Sequence, residues 1–138
     1  MEHIKTISDV YQHLGINEQL FLSDIPYRTI EMAKFARSLG VEDLDMDKYP
    51  YYPLQDFNIY AIVYVLNDGW IPKYVDIQEN KFYPYFSLVL GFGTSGSGHS
   101  YDGVGVYGSY RLCFKSANLA EYAGNTFISE YKKFLINK

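Results

Sequence analysis

Between residues 8 and 39 the apolar positions recur at helical spacing and are bracketed by residues that start and stop helices. Ser8 or Asp9 can cap a short helix over 8–14, and Gly15 supplies a left-handed exit. A second helix is predicted over 26–39: Asp24 is the cap, Pro26 fits the opening turn, and Gly40 stands past the end. Ile25, Met32, Phe35, Ala36 and Leu39 fall on its apolar face, with Glu31, Lys34 and Arg37 elsewhere. Acids, two prolines and the run Tyr49-Pro50-Tyr51-Tyr52-Pro53 then break the pattern, because proline holds the residue before it in extended conformations.

Phe57 to Leu66 supports two readings. Its Ile, Val and Tyr content suits a strand, whereas Ile59, Ile62, Val63 and Leu66 form a helical stripe. Asn67-Asp68-Gly69 can end a helix or turn a hairpin. Alternation from Lys81 to Leu90 predicts a strand with Pro84 at an edge or bend. Gly91 to Ser109 carries most of the glycines and reads as a long loop or a glycine-rich hairpin. Tyr110 to Lys115 reads as a short strand burying Leu112 and either Phe114 or Cys113. Ser116 caps a terminal helix over 117–135, with Leu119, Ala120, Ala123, Phe127, Tyr131 and Phe134 on its buried face.

The predicted architecture is therefore one α+β domain over 1–138, with helices packed around a small antiparallel sheet from 81 to 115. At 138 residues one core is enough, and no linker or repeat divides the chain. Residues 1–56 form a helical N-terminal part.

Aromatic residues make up 18% of the chain, with 15 tyrosines, so the protein must either build a polar-edged core or display rings on a surface. The net charge of -4 argues against duplex DNA, whose binders draw affinity from neutralising phosphates. The longest apolar run, Ile59 to Leu66, is too short to cross a bilayer, and the first residues lack the apolar stretch of a signal peptide. Cys113 is the single cysteine, which favours a reducing compartment.

Each catalytic or metal motif fails on a specific position. Gly91-Phe92-Gly93-Thr94-Ser95-Gly96 has dinucleotide-fingerprint spacing, but Ser97 to Gly103 cannot open the helix that would receive a pyrophosphate. Asp43, Asp45 and Asp47 alternate like a calcium loop, yet Lys48 and Leu54 stand where glycine and glutamate are needed. His3, His13 and His99 lack zinc-ligand spacing. His99 and Asp102 are the sole acid–base candidates, in a glycine loop without a nucleophile elbow. Cys113, between Leu112 and Phe114, reads as a packing residue. No cofactor site emerges. Aromatic residues interleaved with basic ones remain: Trp70, Lys73, Tyr74, Tyr83, Tyr85 and Arg111 could stack and hold single-stranded nucleic acid, although the core of a β-layer explains the rings as well. Trp70, beside a turn, is expected to pack on the 81–86 strand and on Phe127 and Tyr131.

Four segments taken together carry a resemblance. Val65-Leu66-Asn67-Asp68-Gly69-Trp70-Ile71-Pro72-Lys73-Tyr74, Lys81-Phe82-Tyr83-Pro84-Tyr85-Phe86, Tyr110-Arg111-Leu112-Cys113-Phe114-Lys115-Ser116 and Leu119-Ala120-Glu121-Tyr122-Ala123-Gly124 occur in that order. The region 57–138 that holds them resembles a family of uncharacterised proteins of Bacteroidales bacteria, their phages and integrated elements, in which tryptophans usually stand at the positions of Tyr74 and Tyr85. The resemblance tilts 57–66 towards helix. It implies a phage or mobile-element setting in the cytoplasm of a bacterial host, with virion association as an alternative, and it transfers no catalytic residue. The function expected is a non-enzymatic accessory protein that binds another protein. The alternatives are a single-stranded nucleic-acid binder and an enzyme centred on His99.

Overall fold

A computed structural model describes residues 3–39, 54–71, 81–86, 94–100 and 112–136. Its architecture follows from one segment that is apolar nearly all round. In α4 (Leu54–Leu66), Phe57, Ile59, Ala61, Ile62, Val63, Val65 and Leu66 are all buried, and a helix with no polar face has to be surrounded. The other helices supply the enclosure. These are α1 (Ile7–His13), α2 (Glu18–Ser23), α3 (Ile25–Ser38), α5 (Ala117–Thr126) and α6 (Ile128–Ile136). The helices α1, α5 and α6 pack directly on α4, and α3 reaches it through Phe35.

Helix boundaries have local causes. Thr6, two residues before Ser8 and three before Asp9, caps α1: its hydroxyl accepts from the Asp9 backbone N–H at 3.1 Å, while the Asp9 carboxylate accepts from the N–H groups of Lys5 and Thr6. These bonds, that of Lys5 foremost, hold the Asp9 carboxyl below the usual carboxylate range. Gly15, at φ +74, turns the chain out of α1. The sequence pattern misses α2, which Asn17 caps. Asp24 starts α3 as expected. Helix 117–135 is in fact two helices: Phe127, at φ -112 and ψ 34, leaves helical geometry between α5 and α6 while its side chain stays buried. Ser116 caps α5, and Ala120, Ala123, Phe127, Tyr131 and Phe134 face the core as their spacing predicts.

Among the described residues the helices enclose α4, and the strands form one two-stranded antiparallel ribbon. Strand β1 (Lys81–Phe86) runs antiparallel to β2 (Thr94–Ser100), with a register irregularity at Tyr85/Phe86, and this ribbon lies against α5. Phe114 forms one isolated antiparallel bridge to Phe82. Leu112, Cys113 and Phe114 are all buried, so the choice between Cys113 and Phe114 does not arise.

Five of the aromatic residues form a cluster at the junction of four helices. The rings of Tyr11 (α1), Phe21 (α2), Phe35 (α3), Phe57 and Tyr64 (both α4) form a connected set with centroid separations between 5.0 and 6.5 Å, tilted or edge-to-face as ring quadrupoles prefer. The Tyr11 hydroxyl donates to Asn58. Burial, reinforced by the negative charge of Glu18, pushes that phenol up to about 12. Of these rings the sequence pattern places only Phe35 on a buried face, and none is among the aromatic residues expected to bind nucleic acid.

Two long-range polar ties close the enclosure. Tyr122 on α5 donates to the carbonyl of Ile4 at 2.7 Å, fastening the N-terminal segment to the C-terminal helices. Asn67, fully buried after α4, donates from Nδ2 to the Cys113 carbonyl and accepts at Oδ1 from the Lys115 N–H, both at 3.0 Å. Beyond it, Asp68 (φ +52) and Gly69 (φ +85) take left-handed conformations in succession and Trp70 N–H donates back to the Asn67 carbonyl, so Asn67-Asp68-Gly69 ends a helix. Among the described residues no helix is long and apolar enough to cross a membrane.

Candidate functional site

Among the described residues, the most exposed large apolar side chains lie on α2 and α3. In α2, Leu20, Phe21 and Leu22 are consecutive, and a helix turns about 100° per residue, so a single helix face cannot bury all three. Phe21 takes the core, leaving Leu20 at 42% and Leu22 at 46% exposure. Ile25 (63%) and Ile30 (55%) are likewise exposed on α3. Ile25 departs from the expected buried face: as the first residue of α3 it sits where the helix leaves the α2 corner, before Met32, Phe35 and Ala36 enter the core.

The corner that presents these side chains is held from several directions. Asp24 ends α2 and caps α3, accepting at Oδ1 from the Tyr27 N–H. Arg28 reaches back from α3, donating from Nε to the Phe21 carbonyl at 2.7 Å and from Nη2 to the Leu22 carbonyl at 2.9 Å. These are carbonyls left without helical partners at the end of α2. The Arg28 guanidinium also lies 5.9 Å from the centre of the Phe21 ring. Tyr27 accepts at its hydroxyl from the Asn17 N–H, tying the start of α2 to α3. The exposed leucines and isoleucines thus stand on a braced frame.

Towards the C-terminal end of α3 the outer face becomes cationic. Pro26, Ile30, Lys34 and Arg37 are exposed at helical spacing, so apolar contact gives way to positive charge along one face. Lys34, 61% exposed, pairs with Glu31 at 3.4 Å. Beside this face a cleft of about 210 Å³ is lined by Leu14, Ile16 and Phe35 together with Glu31, Lys34 and Ser38.

Of the six residues expected to bind nucleic acid, the described side chains are those of Trp70 and Tyr83. Trp70 is half-buried, and its ring lines a shallow depression with Leu39, Tyr60, Val63 and Tyr64. That places it beside α3 and α4, whereas the sequence pattern predicted a contact with Phe127 and Tyr131. Tyr83 is half-buried on β1, opposite Gly98. Lys73, Tyr74, Arg111 and the side chain of Tyr85 lie outside the described residues, as do Asp102, the side chain of His99 and the Asp43 to Asp47 segment.

One juxtaposition is invisible in the sequence. His3 and His13 line a depression of about 140 Å³ together with Asp68, because α1 packs against α4. No group of three or more His, Cys, Asp or Glu side chains among the described residues could hold a metal ion. Cys113 is buried, as its apolar neighbours imply.

No protein-family model, curated protein or solved structure matches this chain.

Proposed function

We propose that this protein is a non-enzymatic accessory protein that acts by binding another protein, and that the α2–α3 surface is where it binds. The observation that carries the reading is the exposure of Leu20, Leu22, Ile25 and Ile30 on a corner rigidified by Asp24 and Arg28. Single exposed apolar residues are ordinary, but four on two helices joined at a braced corner favour an interaction surface. Rigid presentation also lowers the entropy lost on binding.

The setting proposed is a phage or mobile element in the cytoplasm of a Bacteroidales host, on the strength of the four segments from Val65 to Gly124 quoted above. A fuller antiparallel sheet over 81–115 belongs to the same proposal. A single-stranded nucleic-acid reading has less support: the Trp70 ring borders an apolar depression, and the net charge is -4.

The test is site-specific photo-crosslinking in Bacteroidales cells producing the protein, with the reactive residue at position 22, at position 30 or at the exposed control position 132. A discrete protein adduct from positions 22 and 30, absent from 132, supports the reading. The same faint adducts from all three positions, or a nucleic-acid adduct, would refute it.

A further inference from the structure

We draw no further inference here: the strongest candidate, the patch of exposed apolar side chains that Leu20, Leu22, Ile25 and Ile30 present at the corner between α2 and α3, belongs to the site already described, and nothing in the structure shows what covers it.

Discussion

Asn67 and Cys113, on segments 46 residues apart, are joined by a hydrogen bond of 3.0 Å from the buried Asn67 amide to the Cys113 carbonyl. The same side chain accepts from the Lys115 N–H at its other atom, so a single asparagine satisfies two backbone groups of a segment that has no regular ladder of its own. Asparagine alone among small side chains offers a donor and an acceptor in this geometry. Asn67→Ala is expected to destabilise the fold by about 2–4 kcal/mol, since it strands a buried carbonyl and an amide. Asn67→Asp, which keeps the shape and loses the donor, falls in the same range. Urea denaturation followed by circular dichroism measures both, and a loss below 0.5 kcal/mol, a size typical of surface substitutions, would contradict this role.

The Tyr11 phenol links stability to alkaline pH. Its folded pKa of about 12 lies above the ordinary value near 10, so the folded state favours the protonated form. The contribution is complete below pH 10 and disappears as the pH climbs from 10 through 12. Tyr11→Phe removes the bond to Asn58 at a cost of about 1 kcal/mol at neutral pH. The gap between parent and variant should then close above pH 10 and favour the variant by pH 12. Denaturation midpoints across pH 8 to 12 follow this, and a constant gap would rule it out.

Trp70 is the single tryptophan, which makes its surroundings directly readable. Half-buried against Leu39, Tyr60 and Tyr64, it should emit between the extremes of a core and a solvated indole and be partly quenched by acrylamide. Trp70→Ala should cost about 1–2 kcal/mol, less than the 3–5 kcal/mol of a fully buried large aromatic. Complete protection from quencher, with a loss in the higher range, would place the ring in the core instead.

Gly69, at φ +85, has open space where a Cβ would go, so its constraint is conformational only. Gly69→Ala is expected to cost about 1–2 kcal/mol, and Gly69→Asn less, because asparagine tolerates the left-handed region better. Equal stability of the three proteins would show that the turn is not strained by a side chain.

The sequence reveals helices wherever local signals agree. Asp24 with Pro26, and Ser116 before the Leu119 to Phe134 stripe, define α3 and the start of α5 because cap and periodicity coincide. For α4 the difficulty was its all-round apolarity: a helix buried on every side loses the amphipathic signature that separates it from a strand. The six residues of α2 are too few to show a period. Phe127 looked continuous with its neighbours because a chain can leave helical geometry while keeping a side chain on the same face. The outward-facing side chains of the proposed docking surface were hidden for a related reason. Spacing places Ile25 with Met32 and Phe35, and only the packing of the α2 corner determines that it faces outward.

The central claim is that Leu22 and Ile30 serve binding and not folding, and measuring both properties on the double variant L22E/I30E tests it most directly. Because both side chains are about half exposed, thermal unfolding of the double variant should match the parent, while the protein adduct that a photo-crosslinker newly placed at position 25 forms in the parent should vanish. A melting temperature lowered by 10 °C or more, about what 2 kcal/mol does to a domain of this size, would assign the residues to the core; an undiminished adduct would show that binding lies elsewhere.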